Sequence, residues 1–198
     1  GVLSVVLALA IEIAVRMWGW VPPHNTFFHA VQAAFVGAAF PEEVSKFFML
    51  WLLLRKNKYF DERIDGIVYA CCVSMGFAGT ENIVYLFDNL GSWSSVAISR
   101  AMFAVPGHFL FAVAMGYFYS QIYFRDMSFR RKSLVLLAPV VLHGCYDGFL
   151  FAAQVVPAGL SALLLLCFYV FCFLMFVGGR KRIRRQVAES APDIIRFF

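Results

Sequence analysis

Charged residues are scarce in this chain. Asp, Glu, Lys and Arg make up only 15% of its 198 residues, whereas 62% are hydrophobic. A soluble domain of this size cannot bury so much apolar surface, so the composition excludes a water-soluble globular protein and predicts a chain that lies in the lipid bilayer. The net charge of +5 is confined to a few segments. It does not form a continuous basic surface, so no nucleic-acid partner is expected.

Other familiar features are also missing. The five cysteines all lie within apolar runs, which disfavours a disulfide framework or a CxxC zinc site and favours buried thiols. The chain contains no HExxH motif, no internal repeat and no low-complexity linker. No serine, threonine or cysteine is clearly placed as a nucleophile. We therefore expect a single membrane domain whose chemistry, if any, depends on other residue types.

Six apolar runs are each long enough to cross a bilayer core, which takes about 20 helical residues. We predict an all-α, polytopic transmembrane bundle with spans at 2–21, 27–54, 64–87, 97–123, 134–152 and 159–178. Lys and Arg are concentrated in every second connection and after the last span, at 55–63, 125–132 and 180–185. The positive-inside rule then places both termini in the cytoplasm. Residues 1–178 are expected to form one transmembrane domain, and residues 179–198 a basic cytoplasmic tail.

Two adjacent glutamates interrupt the second predicted span. Glu42 and Glu43 follow Pro41 in an otherwise apolar run, where a charge costs about 2.5–3.5 kcal/mol on insertion scales. Lys46 lies four residues after Glu42, in the favourable order for an ion pair. We expect Lys46 to neutralise Glu42 and to leave Glu43 free as a base. Pro41 predicts either a break that lines a wet cavity or a simple kink.

Four predicted helices each bring an acid or an imidazole to a similar depth. Counted at about 1.5 Å per residue from the cytoplasmic end of each span, these side chains fall in the middle to outer half of the bilayer core. They are Glu42, Glu43, Glu81, His108, His143 and Asp147. We expect Lys46, Asn82, Tyr85 and Arg100 to support them. The sequence therefore predicts a polar site buried at membrane mid-depth.

Such a set of side chains suits the activation of water. A buried carboxylate can act as a general base and an imidazole can pass the proton onward. A second histidine with a carboxylate partner can stabilise an oxyanion or bind zinc. Hydrolysis by activated water is the first interpretation. A proton-coupled transporter or channel and a scaffold without catalytic activity stay open as alternatives.

Four short motifs resemble those of the PrsW family of intramembrane proteases. EEVSK at 42–46 resembles EExxK, and GTENIVY at 79–85 resembles Gly-x-Glu-Asn. Arg100 with PGH at 106–108 is similar to the third motif, and HGCYD at 143–147 to His-x-x-x-Asp. The CAAX prenyl endopeptidases are also similar, but Lys46 stands one position early and Asp147 replaces their asparagine. These differences favour PrsW and leave a CAAX-type prenyl-protein endopeptidase as an alternative.

The resemblance implies an endopeptidase in the plasma membrane of a prokaryote, with residues 1–178 as its catalytic domain. Its implied substrate is a single-span membrane protein such as an anti-sigma factor. By this resemblance the catalytic residues are Glu42, Glu43, Glu81, His108, His143 and Asp147. Whether Zn²⁺ takes part is left open. If it does, His108, His143 and Asp147 are the expected ligands, with Glu43 or Glu81 as the base.

Overall fold

A computed structural model describes residues 1–21, 23, 25–125 and 132–194, the last four of these as helix backbone only. Parts of two predicted connections, at 22, 24 and 126–131, and the end of the predicted tail, 195–198, lie outside the described residues. In chain order the α-helices of the described residues are α1 (Val2–Met17), α2 (Phe27–Gln32), α3 (Phe40–Leu54), α4 (Asp65–Asp88), α5 (Trp93–Ser99), α6 (Val105–Arg125), α7 (Leu134–Val155) and α8 (Ala158–Ile194).

Two of these junctions are π-helical. Ala33–Ala39 joins α2 to α3, and Arg100–Ala104 joins α5 to α6. Each π-helical segment lies directly before a turn that contains proline, Pro41 or Pro106. Proline has no N–H to donate to the preceding turn and its ring crowds that turn, so a wider turn relieves both constraints. The second predicted span is therefore one continuous rod rather than two segments separated by a break.

With these junctions, the described residues form six helical rods, which confirms the predicted all-α bundle. Four rods are long and apolar enough to cross a membrane: Asp65–Asp88, Leu90–Arg125, Leu134–Val155 and Ala158–Ser190. The other two rods are not in this set. Helix α1 has only 16 residues, and the α2–α3 rod carries Glu42, Glu43 and Lys46 near its centre.

Close helix approaches hold the polar residues within reach of one another. A Cβ atom on Gly116 of α6 would lie 2.2 Å from the carbonyl oxygen of Gly66 in α4, so neither helix tolerates a side chain there. The ring of Phe35 lies against Gly144 of α7, where an added Cβ would be 2.4 Å from it. Small residues at these contacts let α4, α6, α7 and the α2–α3 rod surround one shared interior.

Helix α8 passes through the predicted boundary at 178–179 without interruption and continues to Ile194. Its last turns are attached to the bundle. The Ser190 hydroxyl accepts a hydrogen bond from the backbone N–H of Ile64 at 3.2 Å, and the buried Gln186 amide donates to the carbonyl of Tyr117 at 3.4 Å. The predicted tail therefore begins as a packed helix, and its separation as a domain stays a prediction.

Candidate active site

Lys46 is the centre of the buried polar site. Its ammonium Nζ lies 3.1 Å from Glu42 Oε2 and 2.8 Å from Glu43 Oε1, one turn back on α3. It also lies 3.0 Å from Nδ1 of His108 on α6. The Lys46 side chain is only 1% exposed, so its charge is compensated by these partners rather than by water.

His143 joins α7 to the same cluster. Its Nδ1 lies 3.0 Å from Glu43 Oε1, and its Nε2 lies 3.3 Å from Asp147 Oδ2, four residues on along α7. Since ionised carboxylates only accept hydrogen bonds, both ring nitrogens donate and His143 is an imidazolium. The ring of Phe111 stacks on it, with centroids 4.7 Å apart and planes 17° apart. The predicted i, i+4 pair of His143 and Asp147 is therefore present.

His108 has a defined tautomer. An ammonium can only donate, so Nδ1 of His108 accepts from Lys46. Its Nε2 then carries the proton and donates to Glu81 Oε2 at 3.0 Å. The hydroxyl of Ser74 donates to the backbone carbonyl of His108 at 2.9 Å and fixes that turn of α6. His108 is thus a neutral imidazole held between an ammonium and a carboxylate.

Arg100 completes the network at the junction of α5 and α6. Its Nη2 donates to Glu81 Oε2 at 2.7 Å, and its Nε donates to Asn82 Oδ1 at 2.6 Å. The guanidinium lies over the ring of Tyr85, 3.8 Å from the ring centroid. Every residue predicted for the site from the sequence is therefore linked to Lys46, either directly or through a chain of one to three partners.

Two cavities meet at this network. The larger, of about 420 Å³, is lined by Glu42, Glu81, His108 and His143 and by aromatic rings from α6, α7 and α8. The smaller, of about 300 Å³, lies between α1, the α2–α3 rod and α4. Glu42, Glu81 and Tyr85 line both cavities. Glu12, which was not among the predicted site residues, lines the smaller one.

The two adjacent glutamates differ from the sequence-based expectation. Lys46 was expected to neutralise Glu42 and leave Glu43 free, but it contacts both, because residues three and four positions back share its helix face. Glu43 is 0% exposed and lines neither of the two cavities. Glu42 faces both. The carboxylate that can meet a water molecule or a substrate is therefore that of Glu42.

Sequence reasoning missed several neighbours of the site. The ring of Phe77 lies 4.1 Å from Lys46 Nζ, and Phe111 stacks on His143. Helical spacing could have indicated both, because Phe111 is three residues after His108 and Phe77 is four residues before Glu81, so each shares a helix face with a predicted residue. The same holds for Ser74, which is seven residues before Glu81. The aromatic cavity wall from α8 had no such signal.

These features define a class of protein: a polytopic helical membrane protein with a buried acid–imidazole site that opens into an aromatic cavity. The family model for PrsW-protease, described as "PrsW family intramembrane metalloprotease", matches residues 1–178. The chain therefore belongs to the PrsW family, which confirms the resemblance drawn from the four motifs. Its long apolar helices and this membership together show an integral membrane protein.

Several bacterial proteins named "Protease PrsW" are similar to this chain. The protein of Geobacillus kaustophilus is 42% identical over 123 residues, which is 61% of this chain and 53% of that protein. That of Bacillus subtilis is 40% identical over 116 residues, 58% of this chain and 52% of that protein. That of Clostridioides difficile is 36% identical over 121 residues, with 59% and 51% covered. The chain thus spans about half the length of these relatives. No solved structure matches it.

The family description implies a metal ion, and the donor types present are suitable. One ligand atom each from Glu42, Glu43, His108 and His143 lies within 4.8 Å of the others. Oε2 of Glu43 is buried and has no hydrogen-bond partner among the described residues. Asp147, expected as a ligand, is not in this group and instead contacts Nε2 of His143, whose other nitrogen contacts Glu43.

The arrangement of these donors nevertheless does not fit a metal ion. The ammonium of Lys46 already binds Glu42, Glu43 and His108. Both nitrogens of His143 donate to carboxylates, so neither has a lone pair to offer. As arranged, the cation that these acceptors bind is the ammonium of Lys46.

Proposed function

We propose that this protein is an intramembrane endopeptidase that hydrolyses a peptide bond of a membrane protein with a water molecule activated by Glu42. One observation carries the proposal: Glu42, His108 and His143 line the same cavity, inside a bundle of apolar helices. A carboxylate base, a neutral imidazole and an imidazolium are groups that can catalyse acyl transfer to water.

In the proposed reaction, Glu42 accepts a proton from water as the oxygen attacks the substrate carbonyl. The developing oxyanion is stabilised by the positive charge of the His143 ring, which lines the cavity and is held by Glu43 and Asp147. The proton then passes to the leaving amine, from Glu42 directly or through His108. This sequence cleaves the C–N bond and adds one water molecule across it, with no covalent enzyme intermediate.

The remaining polar residues have positioning roles in this proposal. Glu81 accepts from His108 and keeps its tautomer. Arg100 holds Glu81 and is itself held by Asn82 and by the ring of Tyr85. Lys46 contacts both glutamates and holds their carboxylates side by side.

The walls of the larger cavity suggest the substrate class. Phe103, Tyr146, Phe168 and Tyr169 line it together with aliphatic side chains, and such a surface accepts apolar side chains. We propose a single-span membrane protein, such as an anti-sigma factor, as the substrate in the lipid bilayer. In this proposal the site lies in a prokaryotic plasma membrane, and both chain termini are cytoplasmic.

Purified protein in lipid nanodiscs tests the function directly. It is incubated with candidate single-span proteins and, separately, with a prenylated CAAX peptide, and the products are located by mass spectrometry. We expect a single cut in a single-span protein, no cut in the prenyl peptide, and no cut by His108→Ala. Cleavage of the prenyl peptide alone would favour the CAAX-type alternative.

A proton-flux assay in proteoliposomes addresses the transporter alternative, which the meeting of two cavities at Glu42 and Glu81 would also suit. Flux without any cleavage, lost in Glu42→Gln, would overturn the protease proposal. Cleavage without flux is the expected result.

A further inference from the structure

We propose that the ammonium of Lys46 is the resident cation of this site and takes the place that a divalent metal ion would otherwise occupy. The inference concerns the same side chains as the proposed function and rests on it to that extent. Its test measures bound metal and not cleavage. It explains how a group of donors suitable for zinc is built without serving as a zinc site.

The coordination of Lys46 is complete. An ammonium has three N–H donors, and the three acceptors Glu42 Oε2, Glu43 Oε1 and His108 Nδ1 lie at 3.1, 2.8 and 3.0 Å. The open side of the ammonium is covered by the face of Phe77 at 4.1 Å, a favourable cation–π contact. No donor is left over for water or substrate, so the role of Lys46 is to hold its three partners in place.

The same contacts use up the donor atoms that a metal would need. The four-residue group that could hold a metal contains all three acceptors of Lys46. Its fourth member, His143, donates through Nδ1 to Glu43. A divalent ion entering this group would lie beside a tethered ammonium, and like charges about 4 Å apart repel strongly at the effective permittivity of a protein site.

Removal of the ammonium should therefore uncover a metal site. Glu42, Glu43 and His108 would then be free to bind zinc, and the ion would displace the proton from Nδ1 of His143. The result is a set of two carboxylates and two imidazoles, which suits zinc. Methionine has nearly the length and volume of lysine without its charge, so Lys46→Met removes the cation and keeps the packing against Phe77. Lys46→Arg keeps the positive charge and is the matched control.

The test measures Zn²⁺ bound to purified protein in nanodiscs after chelator treatment. The protein is equilibrated with zinc, and affinity is determined by competition with a chromophoric chelator. We expect little binding to the wild type and to Lys46→Arg. Lys46→Met should bind about one Zn²⁺ per chain, about 100-fold tighter than the wild type. The double variant Lys46→Met/His108→Ala should lose that binding.

Two results would overturn the inference. One is a folded Lys46→Met protein, with a melting transition, that binds zinc no better than the wild type. The other needs no lysine variant: stoichiometric zinc on the wild-type chain that His143→Ala removes. If Lys46→Met does not fold, the wild-type measurement alone decides. A protein that shows the expected zinc behaviour but cleaves nothing would overturn only the proposed function.

Discussion

Two clusters of charged side chains hold this bundle together, and they are built in opposite ways. In the buried site, one cation, Lys46, is surrounded by acceptors from α3 and α6 and is 1% exposed. In the Glu189 cluster near the end of α8, one carboxylate, that of Glu189, is surrounded by Arg63, Arg125 and Arg185 at 2.9–3.1 Å. Arg185 is 53% exposed.

The two clusters differ in solvent exposure, and this difference distinguishes the candidate active site from a cluster that only stabilises the fold. At the Glu189 cluster water and salt screen each ion pair, and such pairs typically stabilise by about 0.2–1 kcal/mol. In the buried site the charges are screened much less, so each unpaired group would be costly and each pair is strongly oriented. The Glu189 cluster ties α8 to the connections beside it, while the buried site holds reactive groups at fixed positions.

The largest effect outside the glutamates is expected for His143. His143→Ala removes the charge proposed to stabilise the oxyanion, and loss of one oxyanion-stabilising group typically slows the chemical step about 10²–10³-fold. Because His143 also contacts Glu43, the melting temperature of the His143→Ala protein should fall as well. The cleavage rate and thermal unfolding of the same sample separate the two effects. An unchanged rate would remove His143 from the site.

Asp147→Asn should have a smaller effect. Asparagine keeps the shape but loses the charge that faces Nε2 of His143 at 3.3 Å. A hydrogen bond to a charged group contributes about 1.5–3 kcal/mol, which corresponds to a rate loss of about 10–100-fold. Measured kcat should fall and KM should change little. A variant with full kcat would show that Asp147 does not act through His143.

The contrast between the clusters also marks how far sequence reasoning reaches. Because a charge in lipid is energetically costly, the sequence alone identified Glu42, Glu43 and the acids and histidines at similar depth. The i, i+4 spacing predicted the pair of His143 and Asp147. It did not reveal that Lys46 also contacts His108, which lies 62 positions later. That contact depends on how α3 and α6 pack against each other, which the spacing of residues along the chain does not predict.

The Glu189 cluster was missed altogether. Two partners of Glu189, Arg63 and Arg125, lie 126 and 64 positions away in the chain. A basic segment with one glutamate is also typical of a solvated tail, so the sequence did not indicate a packed cluster. The π-helical turns before Pro41 and Pro106 were missed for a related reason. A proline predicts a disturbed helix, but whether the helix breaks, bends or forms a wider turn depends on the packing of the neighbouring helices.

Glu189→Gln is expected to affect stability and spare the reaction. The substitution weakens the pairs with Arg63, Arg125 and Arg185 by about 1 kcal/mol in total, which should lower the melting temperature by about 2–4 °C for a chain of this size. Cleavage should stay at the wild-type rate. High salt should reduce the difference in melting temperature between the two proteins, because Arg125 and Arg185 are exposed to solvent.

The smallest effect is the acid sensitivity of the Glu189 cluster. Partial burial acts to raise the pKa of Glu189, but hydrogen bonds from Arg185 and Arg63 and the charge of Arg125 outweigh it and lower the pKa to about 2. A folded-state pKa below the ordinary value of 4.5 means that the stabilisation is full above that pH and is lost as the pH falls towards 2. The melting-temperature difference between wild type and Glu189→Gln should therefore shrink between about pH 5 and about pH 2.5. A difference that is constant over this range would contradict the shift.

The most direct test of the account compares two carboxylates that line the smaller cavity, the buried Glu42 and the half-buried Glu12. The cleavage rate of a single-span substrate is measured for Glu42→Gln and Glu12→Gln in nanodiscs, with thermal unfolding of each. We expect Glu42→Gln to lose about 10³-fold or more in rate while remaining folded, and Glu12→Gln to cleave as the wild type does. A folded Glu42→Gln protein that cleaves at the wild-type rate would contradict the account.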